Sequence, residues 1–255
     1  MTLTVRARRP GIRSLLLLIV SEGKMVVRDT AGLIVPIGLP LLILLTSAGS
    51  AGEHVIANGM TALDLYVLPL VLVIMVATIG IINMPSFLAY YRRSGILRRL
   101  AVTPASPFMV LAAQAIVSAL QIIAGIAVAS TVAALAFGAN PPVDLAAALG
   151  VLALAMAALY GVGLIVAAIA PTPNAAVALG LVAFFALGAL GGMFGGREAL
   201  PDPVAEVGGW LPFGAAVEAL TAAWAGVPVP IGQLLSLGIT VVIGAVTAAL
   251  LFRWE

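Results

Sequence analysis

The chain has 255 residues, of which 63% are hydrophobic and only 9% are charged. Soluble domains are about half apolar and about a quarter charged, so this composition excludes an ordinary soluble protein and predicts a polytopic membrane protein. The absence of cysteine excludes disulfides, thiolate catalysis and cysteine-based metal sites. The single histidine, His54, follows Glu53 in a short polar segment and is interpreted as a solvated residue, so no metal site is predicted.

Residues 1–30 are interpreted as a cytoplasmic N-terminus that ends in an interfacial helix. The basic start could be mistaken for a signal peptide, but the apolar run at 15–20 is short and no small-x-small cleavage site follows. At helical spacing, residues 14–28 separate into two faces: Arg13, Leu17, Ser21, Lys24 and Arg28 on one, and Leu16, Ile19, Val20, Gly23, Val26 and Val27 on the other. This pattern predicts a helix in the inner membrane interface, with a simple basic membrane anchor as the alternative.

Six apolar runs are long enough to cross about 30 Å of hydrocarbon as helices. They cover residues 31–47, 65–89, 107–137, 143–170, 175–194 and 231–252, and the first is expected to be the shortest. The breaks at 140–142 and 171–174 contain the proline and asparagine typical of turns between antiparallel helices. The sequence therefore predicts an all-α transmembrane domain over residues 31–252, followed by a cytoplasmic C-terminus at 253–255.

The basic residues define the orientation of these spans. Of the twelve lysines and arginines, six precede the first span, four lie between the second and third, and Arg253 follows the sixth, which leaves only Arg197 on the other side. The acidic residues at or beyond the outer ends are Glu53, Asp64, Asp144, Glu198, Asp202, Glu206 and Glu218. By the positive-inside rule both termini are cytoplasmic, and the alanine- and glycine-rich composition suggests a bacterial plasma membrane.

Residues 195–230 are too long for a tight turn and too apolar to be free in water. The segment is interrupted by Pro201, Pro203, Gly208, Gly209 and Pro212. Trp210 and Trp224 are interpreted as anchors at the membrane interface. We expect two short helices that re-enter the outer leaflet, where protein or water must satisfy any non-helical backbone.

The sequence offers no catalytic constellation. The interiors of the six spans contain no charged residue, which argues against an ion-coupled carrier and an intramembrane hydrolase. There is no metal-ligand pair, no nucleophile beside a base and no Walker A motif. We therefore predict neither an enzyme nor a cofactor bound by this chain.

The most charged segment is residues 90–106, which read YYRRSGILRRLAVTPAS. An arginine costs about 2.5–3.5 kcal/mol at the centre of a membrane helix, so four of them within eight residues indicate a loop in water. As a short helix, the loop would present an apolar edge with a basic rim, which suits docking into a partner's groove. Charge alone also allows a role limited to fixing topology and binding anionic lipid.

The segment RRSGILRRLAVTPAS resembles the one after the second span of type-2 ABC exporter permeases, which reads as basic residues, Gly-x-Leu, a charged pair, Leu and then Thr-Pro-x-Ser. The matching positions are Arg92, Arg93, Gly95, Leu97, Arg98, Arg99, Leu100, Thr103, Pro104 and Ser106. A second segment, LPDPVAEVGGWLPFGAAVEAL, resembles the family's outer segment before the last span through Pro201, Trp210, Leu211, Pro212 and Leu220. Many members carry acidic residues where this chain has Tyr90, Tyr91 and arginines.

This resemblance implies the transmembrane subunit of an ABC exporter, paired with a second permease copy as a homodimer or close heterodimer. Two copies of a separate cytoplasmic ATP-binding subunit would carry ATP and magnesium; membrane lipids are further partners, and nucleic acid is not. The residues that would contact the ATPase are Arg92, Arg93, Gly95, Ile96, Leu97, Arg98, Arg99 and Leu100, with Lys24 and Arg28 of the interfacial helix. The outer segment would act as the exit gate, with Trp210, Pro212 and Glu218 as its residues.

The substrate path is assigned by position along the spans. Its candidates are Asn83 and Met84 near the inner end of the second span, and Phe184, Phe185, Met193 and Phe194 near the outer end of the fifth. The four outer residues are also typical of ordinary packing or lipid-facing positions. Smooth, aromatic-poor spans favour efflux of an amphipathic drug, antibiotic or lipid over a sugar polymer. The alternative function is a membrane structural or immunity protein that needs no ATPase.

Overall fold

A computed structural model describes residues 11–51, 55–57, 59–95 and 107–251. Its helices are α1 (Ile12–Arg28), α2 (Thr30–Ala51), α3 (Leu63–Arg93), α4 (Pro107–Phe137), α5 (Leu145–Ile169), α6 (Pro173–Leu190), α7 (Asp202–Trp210), α8 (Pro212–Ala225) and α9 (Ile231–Leu251). An antiparallel pair, β1 (Val55–Ala57) and β2 (Met60–Thr61), precedes α3, and a 3₁₀ turn (Arg197–Ala199) precedes α7. Inner and outer denote the two ends of the bundle in the orientation that the charges predict.

Six of these helices are long and apolar enough to cross a membrane: α2, α3, α4, α5, α6 and α9. The predictions of an all-α class and six spans are confirmed. The expectation that the first span is the shortest is wrong, because α6 has 18 residues and the span in α2 has 20. The helix α6 stops at Leu190 because two glycines follow, of which Gly192 has a φ of 88°. Met193 and Phe194 therefore lie beyond the end of the fifth span, which the sequence predicted to extend to residue 194.

The helix α3 forms the centre of the bundle. In its most apolar window 78% of the residues are buried, against 17–39% for the other five spans. Its sequence from Leu68 to Ala77 is apolar on every side, as expected for a helix surrounded by other helices. The helices α2, α4, α5, α6 and α8 pack around it, so a displacement of α3 must disturb most of the bundle.

Two π-helical segments interrupt α3, one at Leu63–Val67 and one at Thr78–Asn83. Glycines on two neighbouring helices face the second segment. A Cβ atom on Gly163 of α5 would overlap the carbonyl of Gly80, and one on Gly180 of α6 would overlap the carbonyl of Ile81. These glycines let the backbones of α5 and α6 approach the wide π turn, in the way that small residues permit close packing of membrane helices.

The predicted pair of outer helices is present as α7 and α8. Most of α8 is buried, and Trp224 near its end is only 4% exposed, with its indole N–H donating to the carbonyl of Asn140 over 3.2 Å. Its interpretation as an interface anchor is therefore wrong, because the turn between α4 and α5 provides the indole with a partner inside the protein. Trp210 is 56% exposed, so only the first of the two tryptophans occupies a peripheral position.

Candidate functional site

The inner end of α3 is bonded to the interfacial helix α1. The hydroxyl of Tyr91 donates a 2.5 Å hydrogen bond to Oε2 of Glu22, and it lies 3.5 Å from the sulfur of Met25. Both partners are buried, Tyr91 at 2% exposure and Glu22 at 6%. This polar contact sits beside an apolar cluster that includes Met84 and Leu88. A buried hydrogen bond therefore fixes α1 to the inner end of α3.

Glu22 was missed by the sequence reasoning, although a signal existed. At helical spacing it lies on the same face as Ile19 and Val26, which is the apolar side of α1. An acidic side chain on that side must either reach solvent or find a buried partner. Burial raises the pKa of the Glu22 carboxyl above its ordinary value of 4.5, and the hydrogen bond from Tyr91 partly opposes this rise.

Replacing Glu22 with glutamine is expected to stabilise the protein at neutral pH and to reduce the dependence of its stability on pH. Because the pKa is raised in the folded state, that state holds the proton more tightly than the unfolded one, and stability is lost as the pH rises through the folded pKa. The loss is about 1.4 kcal/mol for each unit by which the pKa is raised. Glutamine is uncharged and still accepts from Tyr91.

Thermal unfolding in detergent at about pH 5 and about pH 8 measures this effect. The wild-type protein should lose more stability between the two values than the E22Q variant. The exposed Glu206 of α7 provides the control, since E206Q should keep the wild-type difference. An unchanged difference in E22Q would contradict the expectation.

Arg92 bonds within the chain. Its guanidinium donates to the carbonyl of Ala167 over 3.3 Å and to that of Ala170, at the C-terminal end of α5. A cation at this position satisfies carbonyls that lack helical partners and complements the helix dipole. Arg92 was predicted to contact the ATPase; that contact stays a prediction, and the position of its guanidinium now links α3 to α5.

The remaining coupling residues divide into two groups. Arg93 is exposed at the end of α3, Gly95 has a φ of 67° just after it, and Lys24 and Arg28 are exposed on α1. The positive φ of Gly95 is one that glycine adopts readily, and it takes the chain out of the helical path of α3. The others lie outside the described residues: Ile96, Leu97, Arg98, Arg99 and Leu100.

The inner substrate candidates form part of the packing of α3. Asn83 donates from Nδ2 to the carbonyl of Gly32 over 2.7 Å, and Gln121 of α4 donates to the same carbonyl over 2.9 Å. Met84 is 4% exposed. Their proposed contact with substrate stays a prediction, and in this conformation both side chains hold α3 against its neighbours.

A stripe of buried polar residues on α4 lies beside these candidates and was also missed. Gln114, Ser118 and Gln121 recur at helical spacing and are each less than 9% exposed. Gln114 donates to the carbonyl of Met84 over 3.5 Å, while its own Oε1 is buried and makes no hydrogen bond to the described residues. A polar stripe in a membrane helix faces protein or water rather than lipid, so the spacing of these residues was a usable signal.

The four outer candidates do not form one surface. Phe184 is 2% exposed and packs edge-on against Phe185 and Phe213, with ring centroids 5.2 Å and 6.4 Å away. Phe185 and Phe194 stack on one another and are 48% and 70% exposed. Met193 lies over Gly188. The structure therefore places Phe184 in the core and leaves an exposed aromatic pair at the outer end of α6.

The three predicted gate residues connect α7, α8 and α9. Glu218 of α8 forms an ion pair with Arg197, whose Nε donates to the carbonyl of Ala205 over 3.1 Å. Pro212 is buried at the start of α8. The carbonyl of Trp210 accepts a 2.5 Å hydrogen bond from Ser236 of α9. These contacts join the outer segment to the last span.

Asp64 at the outer end of α3 is completely buried. Its carboxylate accepts from the backbone N–H and the hydroxyl of Thr61, over 2.9 and 3.0 Å, and from the backbone N–H and side-chain amide of Asn140, over 2.7 and 3.0 Å. The sequence reasoning counted Asp64 only among the outer acids. Its position just before the apolar run Leu68–Ala77 was the signal for a buried, fully bonded carboxylate.

The residues of the inner contacts and those of the ion pair at the outer end lie in one stretch of sequence that matches a single protein family. Residues 13–224 match the family described as ABC-2 type transporter. The chain belongs to the ABC-2 type transporter family. It is the membrane permease subunit of an ABC transporter, and the predicted relationship to type-2 ABC permeases is confirmed.

The family match extends from α1 to the end of α8 and so includes both the Glu22–Tyr91 contact and the Arg197–Glu218 pair. No curated protein matches the sequence of the permease significantly. Among the residues that the structure describes, no group of three or more histidine, cysteine or acidic side chains could hold a metal ion.

Proposed function

We propose that this permease exports an amphipathic drug, antibiotic or lipid across a bacterial plasma membrane, with both termini in the cytoplasm. It would act as a dimer of permeases above two copies of a separate ATP-binding subunit. The observation that carries the coupling part of this proposal is the double attachment of the inner end of α3: Tyr91 is bonded to α1, and the adjacent Arg92 is bonded to α5.

The loop after Gly95 is the natural point for the ATPase to act. A force on this loop would reach α3, the most buried helix, and through its two bonds would move α1 and α5 with it. Because α9 packs along α5, with Gly244 against Gly161, the motion would reach the last span as well. Packed interfaces of this kind transmit small displacements because they do not deform continuously.

The exposed basic residues support the same inner surface as the docking site of the ATPase. Arg93, Lys24 and Arg28 are exposed near the ends of α3 and α1, and the sequence places Arg98 and Arg99 a few residues further on. A basic surface of this kind suits an acidic groove on a soluble partner, where complementary charges favour encounter and fix the register of docking.

The spans support an amphipathic substrate. The buried polar stripe of α4, with the unpaired Oε1 of Gln114, offers hydrogen-bonding groups without charge at the level of Asn83. The residues of the inner apolar cluster beside Gln114 include Met84, Leu88 and Val110. A compound with an apolar body and a few polar groups fits such a lining better than a highly charged or strongly hydrated solute.

Reversal of two charges tests the coupling. The permease is co-expressed with the ATPase encoded by a neighbouring gene, and the R98E/R99E variant is compared with wild type for co-purification and substrate-stimulated ATP hydrolysis. We expect both to fall by more than about tenfold, because charge reversal at a docking surface removes attraction and adds repulsion.

The control is R13E, which reverses an exposed charge on α1 outside the coupling set and should retain both activities. If R98E/R99E kept wild-type binding and stimulation, the coupling assignment would be wrong. If no ATPase co-purified with the wild-type permease, a structural or immunity protein independent of ATP would be the better interpretation.

A further inference from the structure

A cavity of about 440 Å³ opens at the outer end of the permease, between α2, α3, α8 and the turn that follows α6. Its volume lies within the range of small-molecule sites, about 300–1,000 Å³. The walls are apolar, and the side chains that form them include Ile43, Val67, Leu70 and Val217. None of these four is among the residues predicted from the sequence to line a path.

One wall of the cavity is almost pure backbone. It is formed by Gly191, Gly192, Gly195 and Gly196, and the last three have φ values of 88°, 131° and 81°. Residues with a Cβ rarely adopt such values, so the turn depends on glycine. A Cβ on Gly192 would also lie 2.8 Å from the backbone nitrogen of Arg197. The turn therefore leaves the cavity open and preformed.

The polar lining is negative in sum. Glu198, Glu218 and Arg197 all line the cavity, which gives two carboxylates against one guanidinium. Arg197 is occupied by Glu218 and by the carbonyl of Ala205, whereas no hydrogen bond or ion pair engages Glu198 within the described part of the chain. The ion pair is about one third exposed on each side, 34% and 35%, so it is reachable from outside.

An aromatic ring lies on the same lining. Tyr66 borders the cavity and is 54% exposed, although it belongs to the outer π segment of a helix that is otherwise mostly buried. The face of a tyrosine ring attracts cations through its quadrupole. The carboxylates and the aromatic face thus both favour a positively charged ligand.

We propose that this cavity binds an amphipathic organic cation. Its apolar body packs against Ile43, Leu70 and Val217, while its cationic centre lies near the ring of Tyr66 and competes with Arg197 for the carboxylate of Glu218. Glu198 adds a second negative charge at the opening. The inference rests on the proposed function, since it names the chemical class of the exported compound and places its last binding position before release.

Two probes of the same shape and opposite charge test which sign of ligand charge the cavity prefers. Tetraphenylphosphonium and tetraphenylborate are equilibrated with the purified permease in detergent, without ATPase or ATP. We expect saturable binding of the phosphonium at one site per chain, and only non-saturable partitioning of the borate into the micelle. Saturable binding of both ions with equal affinity would overturn the charge assignment.

Substitutions locate the bound ion. E218Q should weaken phosphonium binding by about tenfold or more, because it removes an attractive charge and leaves Arg197 unpaired beside the ligand. E198Q should weaken it by about threefold, since Glu198 is exposed and more strongly screened. The matched control is E206Q, which removes one exposed acid from the adjacent α7 outside the cavity and should bind as wild type.

Filling the cavity tests its volume independently of charge. I43W places an indole in the apolar wall, whereas L42W adds the same side chain at the neighbouring position, which is 60% exposed and does not line the cavity. Binding should be lost in I43W and kept in L42W. If I43W does not fold, judged by gel filtration and melting temperature, E198Q and E218Q together still decide, because neither substitution is at a buried position.

The proposal is overturned if E198Q and E218Q both bind the phosphonium as wild type does, or if wild-type binding does not saturate. This outcome is separable from a failure of the proposed function. ATPase coupling is measured on the inner loop with the R98E/R99E variant, and ligand binding is measured on the isolated permease, so either result can fail while the other stands.

Discussion

Replacing Asp64 with alanine is expected to lower the free energy of unfolding by about 2–4 kcal/mol, because four hydrogen-bond donors lose one buried acceptor at once. The carboxylate is 0% exposed and accepts four hydrogen bonds from Thr61 and Asn140. Alanine removes the protein acceptor of two backbone N–H groups, those of the half-buried Thr61 and the exposed Asn140, and leaves a gap at a position that is completely buried. Thermal and denaturant unfolding of the purified permease in detergent measure the loss.

A second aspartate provides the control. Asp144 is exposed, begins α5 and accepts a single 2.9 Å hydrogen bond from the backbone of Ala147. D144A should cost only about 1 kcal/mol, the usual value of a helix N-cap. A double-mutant cycle of D64A with N140A should show a coupling of about 1–3 kcal/mol. Equal losses in D64A and D144A would contradict the role given to Asp64.

Replacing Gly163 with alanine is expected to destabilise the permease by about 3 kcal/mol, at the upper end of the usual cost of overpacking. The added methyl group would overlap the carbonyl of Gly80, which belongs to the π segment of α3 and cannot move without displacing the central helix. Melting temperature and the yield of monodisperse protein after solubilisation report this change.

The same substitution at Gly150, also on α5, should have the opposite effect on the stability of the permease. Gly150 is exposed, and a Cβ added to it would have no neighbouring atom within 4 Å. Alanine there removes the helix penalty of glycine and should stabilise by up to about 1 kcal/mol. Both changes replace glycine with alanine in the same helix, so the contribution of helix propensity is the same in each. The difference between the two changes in stability therefore measures the contact with Gly80. A shared sign would argue against this contact.

The spans and the outer helices could be predicted because their signals are local. Apolar runs of sufficient length fix the six spans, and the prolines and glycines around Pro201 and Pro212 divide the outer segment into two helices. The two tryptophans of that segment show the limit. Trp210 and Trp224 have the same apolar surroundings in sequence, yet only Trp224 meets a carbonyl, that of Asn140, which lies 84 residues away.

The inner contacts could not be predicted for the same reason. The Tyr91–Glu22 bond joins residues 69 positions apart, and Arg92 reaches carbonyls 75 and 78 positions away. Adjacent arginines also look alike in sequence. On a helix they project about 100° apart, so Arg92 turns toward α5 while Arg93 remains exposed. The sequence shows that both residues are basic. The direction in which each side chain points depends on the packing of helices that are distant in sequence.

The π turn at Thr78–Asn83 has a consequence for the rotation of α3. Conversion of this segment to an ordinary α-helix would take one residue out of the wide turn and rotate everything beyond it by about 100° about the helix axis. That rotation would carry Tyr91 away from Glu22 and Arg92 away from the end of α5. The inner hydrogen bonds and the π turn therefore maintain the same angular setting of the central helix, and neither can change without the other.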